Sequence, residues 1–269
     1  SENTPRWGRF GQHDFVYCML LNFGGRTGLH GRFDNLVKNY NDVRTQRPSQ
    51  LKGIGATPEG IETSPVMYDA LFELPWTTIE KQSWVKEYAT ARYGKENATA
   101  QGAMQKLMGS VYNCPGGQQG TSEPVVLARP GLTVGSVSSW STSSIPYDHT
   151  QVIAAADDLL SQAAALEGNN FEYDLLDVTR QALSDYAYYL LAQLNSDYQK
   201  GGGTSTDFRT RKDWYLALID DLDELLGSHH SYRFGYWTEM ARAIVTEQAA
   251  QAGRAPPKEA DRPGKKKPL

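Results

Sequence analysis

In the segment GIGATPEGIE, residues 53–62, one of the two carboxylates, Glu59, stands between a proline and a glycine directly after a short apolar run. Proline fixes its own backbone angle and glycine permits a tight turn, so the acid is held on a stiff connection. A fixed carboxylate at the end of a strand suits a nucleophile, for which orientation is the main requirement. The alternative is an ordinary turn whose glutamate faces water, since Pro and Gly are the commonest turn markers. A second polar group, Asn22, closes an earlier apolar run and is followed by Phe23-Gly24-Gly25. Its amide could hydrogen-bond a hydroxyl or an N-acetyl group while the glycines admit a ligand close to the backbone; otherwise it is a strand-ending turn. Tyr17 and Cys18 lie inside that run and could reach either a pocket or the core. For Cys18, burial as a small hydrophobe is the simpler role.

Two strands and two helices must position these groups. FVYCMLLNF, residues 15–23, has strand length and is rich in aromatic and branched side chains. RFDNLVKNYNDVR, residues 32–44, sets Phe33, Leu36, Val37 and Tyr40 at helical spacing. A second strand, LKGIGA at 51–56, leads into Glu59. Ser64 then reads as an N-cap, with Pro65 at the first helical position and VMYDALFEL as an apolar face. Alternating strand and helix points to a parallel sheet.

From residue 79 the pattern is helical only. WVKEYATARYG closes on Gly94, and further helices are expected at 98–111, 148–166, 172–199, 205–227 and 234–251. In the long central helix Leu176, Leu183, Leu190 and Leu194 fall on one side beside Tyr186, and Tyr186, Tyr188 and Tyr189 read as helix packing. The Gly-, Ser-, Thr- and Pro-rich stretch 113–146 exceeds the length of an ordinary loop and reads as functional or loosely ordered.

The net charge of −4 argues against a general nucleic-acid binder, and no apolar run approaches the length of a membrane span. Cys18 and Cys114 form no disulfide framework, and His229-His230 lacks a carboxylate at ligand spacing and reads as a helix end. No metal and no cofactor are expected. Gly201-Gly202-Gly203 lacks the strand and lysine of a phosphate loop and reads as a hinge between helices. Asn97-Ala98-Thr99 is a glycosylation sequon by pattern alone. The last sixteen residues, RAPPKEADRPGKKKPL, hold six basic and two acidic groups and show no apolar periodicity.

The runs FVYCMLLNFGGRTGLHG, GIGATPEGIETSPVMYDALFELPW, SWVKEYATARYG, SVYNCPG and YDLLDVTRQAL together resemble the alpha-N-acetylglucosaminidases, family 89 of the glycoside hydrolases, in order and spacing. The resemblance implies the last strands and helices of a (β/α)8 barrel at 1–78, an all-helical C-terminal domain at 79–252, and a disordered or non-native basic tail at 253–269. It implies a retaining hydrolase removing terminal alpha-linked N-acetylglucosamine from glycans, with Glu59 in TPEG matching the nucleophile and overriding the plain-turn reading. A secreted, periplasmic or lysosomal setting follows from the same resemblance. Two departures stand out. The family's acid/base lies in an Asn-Glu motif, and no Asn-Glu dipeptide occurs in these 269 residues. The family's Trp-Gly segment is replaced by the basic tail. The chain is therefore expected to be an incomplete enzyme without turnover of its own. A noncatalytic helical module that binds glycan or protein is the other reading.

Overall fold

The computed structural model describes residues 7–21, 26, 28–60, 63–115, 120–138 and 143–251, and the chain forms two compact units, Ser1–Leu222 and Asp223–Leu269. In the first unit β1 (Phe15–Met19) pairs in parallel with β2 (Leu51–Ala56), and α1 (Phe33–Gln46) makes the crossover that a parallel pair requires. Because strand side chains alternate, Tyr17, Met19 and Leu21 point to one face and are buried, where Ile54 and Ala56 pack with them. The opposite face carries Val16 opposite Gly53 and Cys18 opposite Gly55, and Val16 is 53% exposed. One face of the sheet is thus a core wall and the other lies open. The register slips once, between Phe15 and Val16.

The helices follow the apolar spacing of the sequence. Phe33, Leu36, Tyr40 and Val43 are the buried stripe of α1. In α2 (Pro65–Glu73), Val66, Met67, Ala70 and Leu71 are buried, each large side chain contributing roughly 1.5–3 kcal/mol on leaving water. The carboxylate of Glu80 accepts from the amides of Gln82 and Ser83 to start α3 (Lys81–Tyr93), and Gly94 ends it at φ 67°, where a Cβ would be strained. Asn97 starts α4 (Ala98–Gly109) by accepting from the Ala100 amide, while its Nδ2 donates to Gln162 Oε1 at 2.9 Å, so the nitrogen of the sequon is already engaged.

Next come α5 (His149–Ser161), the 33-residue α6 (Asn169–Gly201) and α7 (Thr206–Gly227). Ala100, Ala103, Ala155 and Ala156 allow close approach where α4 packs on α5. A separate cluster of Val125, Ala187, Leu190, Leu191, Leu194 and Leu218 joins α6, α7 and a 3-10 turn at Val125–Leu127. Gly202, at φ 69°, makes the turn between α6 and α7. The second unit holds a 3-10 turn, His230–Tyr232, and α8 (Phe234–Gln251). His229 caps that turn by accepting the Ser231 amide at Nδ1. Among the described residues no helix is long and apolar enough to cross a membrane.

Four expectations need correction. The first strand ends at Met19, where its ladder with β2 ends at Ala56; residues 22 and 23 of the expected run lie outside the described residues. Ser64 does not cap α2 through its side chain; it sits at φ 51° and its hydroxyl accepts the amide of His30 at 3.3 Å. Tyr186 is not packed beside the leucines but is 47% exposed, whereas Tyr188 packs on the second cluster and Tyr189 stacks on His149. The described parts of 113–146 are not loose: Ser122 Oγ donates to the Ser144 carbonyl at 2.7 Å and Ser143 Oγ to that of Val134 at 2.9 Å.

Candidate functional site

The connections leaving the C-terminal ends of β1 and β2 form one rim. After β2 the chain turns through Thr57, whose amide donates to the Met19 carbonyl at 3.0 Å, so the two strand ends are tied at the point of exit. Pro58 and Glu59 follow, both exposed. Thr63 closes the turn, its amide and its hydroxyl both donating to the Gly60 carbonyl, at 3.3 and 2.9 Å. Ser64, the one non-glycine residue at positive φ among the described residues, then starts α2. A serine in the left-handed region costs of order 1–3 kcal/mol and persists only where its surroundings over-determine it. Here they do: Ser64 is 1% exposed and its hydroxyl is taken by His30.

The β1–α1 connection is pinned from several sides. Asn22 itself, with Phe23, Gly24 and Gly25, lies outside the described residues. Arg26 pairs with Glu123 at 3.4 Å, both side chains nearly buried. The Leu29 amide donates to Gln181 Oε1 at 2.9 Å, and the His30 amide to Ser64. The Gly31 amide donates to the Val111 carbonyl, its own carbonyl accepts from Cys114, and the Phe33 amide donates to Tyr112. Gly31 is required by this approach, since a Cβ there would lie 2.6 Å from Met67 Sδ and 2.8 Å from the Tyr112 carbonyl oxygen. Burial and the neighbouring Arg32 push the His30 imidazole down to about 4. Burial raises the Cys114 thiol to about 11, which makes it an inert packing group.

Behind the rim, α6 presents a buried polar stripe. Gln181 Nε2 donates to Tyr147 Oη at 3.0 Å and to Asp185 Oδ1 at 2.9 Å, and Tyr147 Oη donates to the Asp185 carboxylate at 3.0 Å. Burial lifts the Asp185 carboxyl to about 7, against the pull of these hydrogen bonds and of Arg180. About three turns before Asp185 on the same helix, Asp174 accepts both arms of Arg92 at 2.5 and 2.6 Å and the Tyr93 hydroxyl at 3.0 Å. A depression of about 350 Å3 opens on that side, lined by Asp69, Glu73, Trp84, Glu87, Tyr88 and Arg92 among others, with no rim residue in its wall.

Of the residues picked out in sequence, Glu59 stands exposed on the rim. Tyr17 faces the core instead: it is 3% exposed, sits edge-on to Tyr40, and its hydroxyl donates to the Leu36 carbonyl at 3.3 Å. Cys18 is half-buried on the opposite, open face, its Sγ against Gly55. Gln181, Asp185, Tyr147 and His30 were missed, and Ser64 was read only as a helix cap. A signal existed for two of them: Asp174, Asp177, Gln181, Ser184 and Asp185 recur at helical spacing, and a polar stripe on a helix buried on both sides marks a built network.

A carboxylate on a short strand-to-helix connection, at the C-terminal rim of a parallel β-α-β unit, is the arrangement of β/α-barrel enzymes, whose catalytic groups sit at strand ends. Residues 84–259 match the alpha-N-acetylglucosaminidase (NAGLU) C-terminal domain, and residues 1–78 match the alpha-N-acetylglucosaminidase tim-barrel domain. The chain belongs to the alpha-N-acetylglucosaminidase family. It is 32% identical to the human alpha-N-acetylglucosaminidase over 93% of its own length, and spans about a third, 34%, of that relative. A family 89 glycoside hydrolase from Clostridium perfringens, solved in complex with 2-acetamido-1,2-dideoxynojirmycin, superposes with a TM-score of 0.84 at 28% identity over 92% of this chain and 28% of its own. A Clostridium perfringens form with two glutamates changed to glutamine, bound to its substrate GlcNAc-alpha-1,4-galactose, gives 0.83 at 29% identity over 90% of this chain and 28% of its own.

Proposed function

We propose that this chain carries the nucleophile half of a retaining alpha-N-acetylglucosaminidase site. In this reading residues 1–78 are the last part of a (β/α)8 catalytic barrel and 79–252 the helical domain, with the basic segment 253–269 following it. Glu59 attacks the anomeric carbon of a terminal alpha-linked N-acetylglucosamine and forms a glycosyl-enzyme, and Asn22, on the neighbouring connection, binds the sugar. Water then releases the sugar with retained configuration. A retaining pair sets its carboxyl groups about 5–5.5 Å apart, and since no Asn-Glu dipeptide occurs in these 269 residues, this reading takes the acid/base from barrel strands outside them.

The open face of the two-stranded sheet carries this reading. Val16, Cys18, Gly53 and Gly55 present a small-residue wall on the side away from α1 and α2, where a closed barrel places its interior. Cys18 is then a pocket-wall residue and Tyr17, which packs under the helices, supports the strand without touching sugar. The substrate of the Clostridium perfringens relative supports a glycan ending in alpha-linked N-acetylglucosamine as the partner class. Such glycans fit a secreted, periplasmic or lysosomal setting.

The test is hydrolysis of an aryl alpha-N-acetylglucosaminide by this chain alone and by this chain joined behind the upstream barrel strands of a family member. The joined protein is expected to turn over and the chain alone to give none. Equal turnover by the chain alone would contradict the split of the catalytic pair.

A further inference from the structure

Gln181 is 3% exposed and uses both ends of its amide. Oε1 accepts the Leu29 amide at 2.9 Å, while Nε2 donates to Tyr147 Oη and Asp185 Oδ1. Reversing the amide would set its NH2 against the Leu29 N–H and its oxygen against a carboxylate, so its direction is fixed. The next amide along, His30, donates to Ser64 Oγ. Two consecutive backbone amides of one rim connection are therefore fastened to two elements. One goes to α6, and the other goes to the residue that ends the Glu59 connection. Gly28 fits this seat closely, since a Cβ there would lie 3.2 Å from Thr121 Cβ and 3.4 Å from Gln181 Oε1.

From this we infer that Gln181 is a positioning residue for the rim: oriented by Tyr147 and Asp185, it holds the β1–α1 connection at Leu29 and so sets that connection relative to the Ser64-anchored Glu59 connection. The inference rests on the reading of the rim as the sugar site. A helix of the C-terminal domain then sets the spacing of two strand-end connections through one amide. Among the described residues the charged and titratable groups around Gln181 include Asp185 and the Asp177–Arg180 pair on α6, Tyr147 and Cys114 from the connections packed against it, and the Arg26–Glu123 pair.

The experiment uses amide hydrogen exchange and the Leu29 amide resonance in the full 269-residue chain, followed by steady-state kinetics in the joined protein. Gln181→Leu is expected to raise Leu29 exchange about tenfold, the equivalent of one lost hydrogen bond, with amides of α4 and α5 unchanged. Gln181→Glu keeps the acceptor but faces Asp185 with a second carboxylate, and should loosen Leu29 likewise. The exchanged pair Gln181→Glu with Asp185→Asn restores one carboxylate and one amide, and should recover both the Leu29 resonance and exchange. In the joined protein kcat should fall about tenfold in Gln181→Glu and return in the exchanged pair, in line with the same lost bond. Unchanged Leu29 exchange in Gln181→Leu, or an exchanged pair no better than Gln181→Glu, would overturn the inference. So would loosening of Leu29 with kcat intact. The Leu29 readout needs no catalysis, so failure of Glu59 as nucleophile would leave it standing and would appear separately in Glu59→Gln.

Discussion

Asp174 and Asp185 are buried acids on one face of one helix, and they are solved in opposite ways. Asp174 meets a guanidinium fork and a tyrosine hydroxyl, a charge-assisted clamp that bolts α3 to α6. Burial pushes its carboxyl up while Arg92 and Tyr93 pull it down. Asp185 accepts hydrogen bonds from two neutral donors, Tyr147 and Gln181, with the Arg180 charge acting at longer range, and burial carries it to about 7. The first arrangement fastens two helices; the second fastens a helix to the connections at the strand ends. The lesson is that a paired charge suits a fixed joint, whereas a neutral amide relay suits a joint that must present a backbone segment at a defined place.

The comparison breaks most sharply at Arg92. Arg92→Leu leaves Asp174 buried without its counter-ion and is expected to destabilise the first unit by about 3–5 kcal/mol, measured by urea unfolding. Loss within the range of an exposed pair, under ~1 kcal/mol, would mean that the clamp is solvated.

Burial raises both carboxyls, but Asp185 has no guanidinium fork to hold its charge, so the pH dependence is expected to show most clearly there. Its folded pKa lies above the unfolded one, so its contribution is present below about 4 and is lost as pH rises toward about 7. Asp185→Asn should therefore flatten the fall in melting temperature between those values and leave the protein no less stable at pH 8. A steeper fall in the variant would contradict the assignment.

His30 sharpens the picture from the acid side. Its folded pKa of about 4 lies below the ordinary value, so its contribution is held above 6.5 and lost as pH falls toward 4. His30→Asn should remove that acid-side loss while leaving the Ser64 bond, which uses the backbone amide, in place. The smallest effect is expected at Ser64. Ser64→Gly relieves the left-handed backbone but gives up the acceptor for His30, so its stability should change by less than that of Ser64→Ala, which gives up the acceptor and keeps the strain.

Local patterns made most of the scaffold legible in the sequence. The apolar runs FVYCMLLNF and LKGIGA located both strands, the first with its end set too late, and the stripe Phe33, Leu36, Tyr40 placed α1. Gly94 and Pro65 marked helix ends through backbone constraints that need no partner. Ser64 misled for a physical reason: a serine before a proline reads as a cap, but its hydroxyl is claimed by an amide thirty-four positions away. Gln181, Tyr147 and Asp185 are related only through the tertiary fold, so spacing could suggest a polar stripe without naming what it holds. Tyr186 shows the converse, an aromatic at core spacing that the helix turns to solvent. For Glu59 the residues alone favoured a plain turn, and the nucleophile reading came from resemblance.

The most direct measurement of the central proposal is covalent trapping. The joined protein would be incubated with a slow 5-fluoro analogue of alpha-N-acetylglucosaminyl fluoride, digested, and analysed by mass spectrometry. A sugar attached to the peptide holding Glu59, and its absence in Glu59→Gln together with loss of turnover, is the predicted result. Attachment at another carboxylate, or normal turnover in Glu59→Gln, would contradict it.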